Sequence, residues 1–357
     1  MYKVGVCGHF AFGDEQFNSG QKDKTVSVYT ALVKKLGKNT ISTVDTRGWK
    51  KNPLKLVFQC NKLLKNCENI IMLPATNGLK VFPRLFELLN VFYKRKLHYV
   101  VVGGWLAGFI KNNPALIPSL KKLDTIQVEI PSMQADLKAI GFTNVCVLPN
   151  FRETVILTHE ELCIPDSEPY RFCTFSRIRY EKGIEDAIEA VRYVNNTLGR
   201  TACTLDIYGL PDEEYIERFE KIQKTFEPFI TYKGFVSGAE AASHELRSCF
   251  AMLLPTRFSY EGFPGTVVDA FCAGLPIITT SWTYSSSAVT NGENGIIYTL
   301  GNNDELKEIL LYAVQNPDVL NQMRKNSLSR AYEFTSEHGV NILLERLGLS
   351  VQPEETL

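Results

Sequence analysis

No apolar run in this 357-residue chain reaches the ~18 residues that a bilayer-spanning helix needs. The longest candidate, HYVVVGGWLAGFI, is shorter and is broken by a Gly-Gly pair. The N-terminus, MYKVGVCGHFAFG, has no apolar core ahead of a small-residue cleavage site. It reads as a first strand and its loop, not as a signal peptide. Nine cysteines are scattered singly without a C-x-x-C pair, which argues against a disulfide scaffold or zinc site and fits a reducing cytoplasm. The G-x-G-x-x-G dinucleotide fingerprint is missing, since Gly5, Gly8 and Gly13 have the wrong spacing. A P-loop ending in Gly-Lys-Ser/Thr is missing too, so dehydrogenase and NTPase readings lose their main support.

What is present is an ordinary globular composition, 45% hydrophobic and 22% charged, which excludes disorder and collagen. The length suggests two domains. Net charge is zero overall, but residues 1–150 hold 21 Lys and Arg against 9 Asp and Glu, a net +12. The remainder holds 18 against 30, a net −12. A split this large suggests two domains with different partners, the basic one facing an anionic membrane or another polyanion.

Short apolar runs alternate with longer amphipathic ones. YKVGVCG, NTISTVDT, NIIMLPA, LHYVVVGG, DTIQVEI and NVCVLPN read as strands, with helices between them. The alternation pauses between Asn150 and Tyr170, which reads as a linker. It resumes with RFCTFSRI, CTLDIYG, FITYKGFV, CFAMLLPT, PIITT and GIIYT. Continuous apolar strands joined by helices mean parallel sheets covered on both faces. The expected fold is therefore α/β, two tandem Rossmann-like doubly wound domains facing a central cleft. The expected domains span 1–155 and 166–335, with a last helix at about 336–357 crossing back onto the first domain.

Two segments carry the chemistry. In CTFSRIRYEKGIEDAIEAV, Arg177 and Lys182 lie between a strand end and a helix start after Gly183. Two cations beside helix N–H groups suit a pyrophosphate, although a solvated charged loop has the same pattern. In PTRFSYEGFPGTVVDAFCAGLPIITT, Glu261 precedes a loop whose N–H groups can face an anion. Pro264 is expected in the first helical turn, where its missing N–H costs nothing. Asp269 follows about one turn later, in an apolar stretch where a bare carboxylate is costly, although a surface Glu261 and a solvent-facing Asp269 have the same pattern.

Taken in order, SRIRYEKG, LDIYG and EGFPGTVVDAFCAGLPIITT resemble glycosyltransferase family 4, retaining enzymes with the two-domain GT-B fold. The N-terminal segments NSGQKDKTVSVYTALVKKLG, VDTRGW, HYVVVGGWL and VLPNF resemble a bacterial surface-polysaccharide branch of that family. The resemblance implies that Arg177 and Lys182 hold the donor diphosphate and that Glu261 binds donor-sugar hydroxyls. It implies a ribose contact for Asp269, where the family more often has Glu. Phe263, Gly265 and Thr266 would face sugar and phosphate, with Pro264 replacing the commoner glycine. Gly209, Gly234 and Phe235 would line the base. Gly20, Gln21 and Lys24 would approach the donor phosphate from the first domain, Lys24 also meeting phosphate or acceptor.

On the acceptor side the candidates are His9, Glu129 and the pair Gly103 and Gly104. That pair stands where many relatives place a histidine. The resemblance implies a nucleotide-sugar donor, with UDP-sugars the expected class, and no cofactor or metal. It implies a glycan acceptor, carried on polyprenyl diphosphate at the inner face of the cell membrane. Basic and apolar residues interleave in KKNPLKLVFQCNKLLKNC and FPRLFELLNVFYKRK, which suits docking to anionic lipid. No nucleic-acid motif accompanies the charge. The alternatives are a non-catalytic sugar-nucleotide or glycan-binding subunit and a nucleotide-sugar 2-epimerase.

Overall fold

The computed structural model of the chain describes residues 1–13 and 19–349. It forms two compact units, Met1–Glu153 with the segment from Glu333 onward, and Thr154–Tyr332.

The first unit holds one parallel sheet of β1 (Tyr2–Gly8), β2 (Ile41–Asp45), β3 (Cys67–Met72), β4 (Lys96–Val100), β5 (Thr125–Val128) and β6 (Val145–Val147). Its order is β2-β1-β3-β4-β5-β6. The central strands are buried on both faces, which is why they read as unbroken apolar runs. The helix Gly20–Leu36 starts at Ser19, whose Oγ accepts from Lys22 N at 3.1 Å, and ends at Gly37. It buries Val28, Ala31 and Leu32. The last helix, Ser336–Leu347, belongs to this same unit. Its Val340, Leu343, Leu344 and Leu347 join Val4, Val28, Leu32 and Phe151 in one core. Gly339 permits the approach, since a Cβ there would lie 2.0 Å from the Phe151 ring.

The second unit holds β7 (Tyr170–Phe175), β8 (Cys203–Tyr208), β9 (Ile230–Gly234), β10 (Ala251–Leu254), β11 (Ile277–Thr280) and β12 (Gly295–Tyr298). They form a second parallel sheet, in the order β12-β11-β10-β7-β8-β9. All twelve expected strands are present, and both sheets are of the doubly wound kind. The segment read as a linker packs onto the second unit beyond Thr154: Leu157 is buried and its N–H donates to Cys272 O at 3.0 Å.

Candidate active site

Strand order reverses direction between β7 and β10. At such a switch point the loops leaving the carboxyl ends of two neighbouring strands diverge and open a crevice for a ligand. The two loops here are Ser176–Gly183 and Pro255–Pro264, the two segments singled out in the sequence.

Close backbone contacts fix both loops. Gly183 has φ +66, and a Cβ on it would sit 2.0 Å from Pro255 O. Gly209, just past β8, has φ +138, and its Cβ would lie 1.8 Å from Ser176 O. Its N–H donates to Gly234 O at 2.8 Å, while its carbonyl accepts from the Tyr232 hydroxyl at 2.9 Å. Arg257 spans the two loops. Its guanidinium meets both oxygens of buried Asp186, at 2.9 and 2.6 Å, and lies 4.3 Å from the Tyr180 ring centroid. Its backbone N–H donates to Glu181 O at 2.8 Å.

Within this frame Lys182 Nζ donates to Glu261 Oε1, so the expected phosphate ligand and the expected sugar ligand form an ion pair, largely sheltered from solvent. Thr256 Oγ1 lies 3.4 Å from the same oxygen. Arg177 sits in the first of these loops, its Nη1 3.4 Å from Asp212 Oδ1. Arg179 reaches the other Asp212 oxygen at 3.7 Å and Glu181 at 2.8 Å. Its guanidinium holds the Glu181 carboxyl down at about 2.

The helix Gly265–Cys272 follows directly. Pro264 does not enter its first turn as expected. It is the N-cap residue, at φ −63 and ψ 133, and its carbonyl accepts from Val267 N at 3.0 Å. The extended ψ is that of an N-cap, a residue still outside the helix whose carbonyl already accepts the first helical hydrogen bond. Thr266 Oγ1 donates to Phe175 O, pinning the helix start to the end of β7. Phe263 is buried, Gly265 and Asp269 are half-buried, and Phe235 is exposed next to Gly234 (φ +77).

In the first unit, residues 14–18 of the expected phosphate loop lie outside the described residues. Gly20 opens its helix with free space where a Cβ would stand. Gln21 Nε2 donates to Leu73 O at 2.7 Å, beyond the end of β3. Lys24 is buried. Its Nζ donates to Pro149 O at 3.3 Å and Asn150 Oδ1 at 3.1 Å and lies 5.2 Å from the Phe151 ring centroid. Burial pulls its pKa down to about 8, against the opposing charge of Glu129. Glu129 itself is buried, one residue past β5. His9 is half-buried after β1, and burial lowers its pKa. Gly103 (φ +83) and Gly104 follow β4, where the Trp105 ring N–H donates back to Val102 O at 2.7 Å.

Asp212, Asp186 and Arg257 escaped the sequence reading. Asp212 lies in the loop after β8, at the same sheet edge, and a search of every loop that follows a strand is what could have found it. Among the described residues no group of three or more His, Cys, Asp or Glu is arranged to hold a metal ion. No described helix is long and apolar enough to cross a membrane.

Residues 163–330, inside the second unit, match the family model for glycosyl transferases group 1. The alpha-monoglucosyldiacylglycerol synthase of Acholeplasma laidlawii is 29% identical over 153 residues, 43% of this chain and 36% of that protein. Glycogen synthase from Mycobacterium tuberculosis is 27% identical over 132 residues, 37% of this chain and 31% of that one. The chain thus spans about a third of the length of these curated relatives. Among solved structures, Anabaena HepE in complex with UDP-glucose superposes with a TM-score of 0.72 at 14% identity, over 98% of this chain and all of that one. TarM gives 0.63 at 17% identity, over 82% and 57% of the two chains. At these identities the likeness is one of fold, and that fold is GT-B. Residues 163–330 of the second unit are thus those of a glycosyl transferases group 1 domain, just under half of the chain.

Proposed function

We propose that the protein moves a sugar from a nucleoside-diphosphate sugar to a hydroxyl of a glycan acceptor. The observation that carries this reading is the Lys182–Glu261 pair at the switch point of a group 1 domain, with Arg177 in the same loop. A cation for the diphosphate and a carboxylate for sugar hydroxyls meet at one place, beside a helix N-terminus suited to a second phosphate oxygen. Donor binding divides the pair: Lys182 turns to phosphate and Glu261 to the sugar.

The finer reading is a retaining transfer without metal or cofactor. The bond between the sugar's anomeric carbon and the diphosphate oxygen breaks. The acceptor oxygen bonds to that carbon on the same face, and its proton passes to the leaving diphosphate. The protein stabilises charge on the leaving group through Arg177 and Lys182. Asp269, Gly209 and Gly234 serve the nucleoside. Solved relatives of this fold carry UDP or UDP-glucose, which favours a UDP-sugar. The acceptor is lipid-linked, at the cytoplasmic membrane face, in polysaccharide assembly.

The test is a panel of UDP-, GDP-, dTDP- and ADP-sugars, with binding followed by calorimetry and slow hydrolysis by nucleoside diphosphate release. One donor should bind tightly and be hydrolysed slowly. Arg177→Ala should lose its binding, and Lys182→Ala should lower kcat/KM by roughly 10²–10³. Near-wild-type turnover by Lys182→Ala, or no binding of any donor, would refute the assignment. Binding with no turnover, even with acceptor supplied, would make the protein a binding subunit.

A further inference from the structure

Two helices of the first unit expose apolar side chains on the faces opposite their buried ones. The helix Pro53–Asn66 buries Leu56, Cys60, Leu63 and Leu64, while Leu54 and Phe58 on its other side are 82% and 70% exposed. The helix Phe82–Asn90 buries Phe82, Pro83 and Phe86 and leaves Leu88 exposed at 70%. Val91 and Phe92 follow just past its end, Phe92 at 85%. These helices pack side by side. The Tyr93 hydroxyl donates to Asn61 Oδ1 at 3.1 Å, and Arg95 Nε to Leu64 O at 3.0 Å. Single exposed leucines are ordinary, but five large apolar side chains on two packed helices and the turn after the second form a patch that asks for a partner.

The surroundings of the patch say which partner. Residues 47–66 and 80–96 together carry eleven Lys and Arg and one acid, Glu87. Eight of the eleven are lysines, point charges that suit a fluid field of phosphates better than fixed bidentate pairing. Beside Val91 lies a hollow of about 250 Å³, lined by Asn90, Lys94, Ser119 and Lys122, with Glu87 paired to Lys122. Leu97 and Leu123 also line it, and lysines beside an apolar ridge match lipid phosphates beside acyl chains. Amphipathic helices with this division lie in the plane of a bilayer interface.

We propose that this face docks on an anionic lipid bilayer, with Leu54, Phe58, Leu88, Val91 and Phe92 entering the headgroup–acyl boundary and the flanking lysines meeting phosphate. It rests on the lipid-linked acceptor reading above and deepens it. Charge attraction alone is not the contact; named side chains insert. The charge draws the protein to the surface, and the apolar ridge fixes which face lies down.

Flotation with vesicles of phosphatidylglycerol and phosphatidylcholine tests this, pure phosphatidylcholine serving as control. Wild type should float with the anionic vesicles only. Leu88→Ser with Phe92→Ser should lower partitioning by about tenfold per residue. Lys50→Gln, Lys51→Gln and Lys55→Gln should each cost about fivefold at low salt. Circular dichroism and donor calorimetry on the same variants should match wild type, since these residues are exposed and lie in the other unit from the donor loops. Wild type that stays unbound at low salt, or a Leu88→Ser/Phe92→Ser variant that floats like wild type, would overturn the proposal. So would a wild-type dimer that this variant turns into a monomer, because the patch would then belong to a second copy. Failure of donor binding in wild type would count against the transferase reading and leave the flotation result intact.

Discussion

Lys182 and Glu261 are 79 positions apart and meet as a sheltered ion pair. Taking two charges out of water rarely adds net stability, so stability alone does not account for such a pair. Their loops were legible because each is bracketed by glycine or proline between a strand and a helix. Asp212 and Arg257 were not, since a single charged residue in a polar loop looks the same whether it braces a site or faces water. The burial of Lys24 was not legible either, since only the packing against Pro149, Asn150 and Phe151 turns it inward. His98 is another inward residue, hydrogen-bonded to Thr125 Oγ1 at 2.8 Å and Asn69 Oδ1 at 3.2 Å. Burial lowers its pKa to about 4. The unfolded chain therefore binds this proton more readily between about pH 4 and 6.5, and stability rises with pH across that window. Urea titrations should show on the order of 3 kcal/mol present above pH 6.5 and lost as pH falls to 4. His98→Gln should flatten that part of the profile.

The twelve strands were readable because a doubly covered parallel strand has to be apolar along its whole length, which leaves short unmistakable runs. The helices were less so. The stretch from Asn303 to Glu333 reads as one long helix but breaks after Gln315, where Pro317 cannot supply an N–H. The loops between elements depend on backbone shapes that composition only hints at. Gly209 is the sharpest case, with its φ of +138 and no room for a Cβ against Ser176 O. Gly209→Ala should cost about 3 kcal/mol or more in denaturant unfolding and should weaken donor binding, because it forces apart the ends of β7 and β8. An alanine variant as stable as wild type would show that the two strand ends can separate freely.

Over the whole molecule, the chain divides into a unit interrupted in sequence and a unit that is continuous. A fragment of residues 154–332 should fold alone and keep nucleoside diphosphate affinity near that of the full chain, read by calorimetry. A fragment of residues 1–153 should not, since Val28, Leu32 and Phe151 would lose Val340, Leu343, Leu344 and Leu347 from their shared core. Hydrogen exchange on that fragment should show no slow amides, and adding back residues 333–349 as a peptide should restore them. The reversal of charge between the two parts of the chain was visible by counting, as was the basic character of the helix at 53–66 and of Lys94, Arg95 and Lys96 after the helix at 82–90. Which of their side chains point outward was not.

The last helix also sets a timetable for synthesis. The ribosome makes the first unit's sheet early and the helix that closes its core only after the second unit. The nascent first unit therefore waits, with the groove around Phe151 open, while the entire second unit is translated and can fold. A truncation between Tyr332 and Ser336 leaves a finished second unit and an open, sticky first unit, the one that chaperones would be expected to hold.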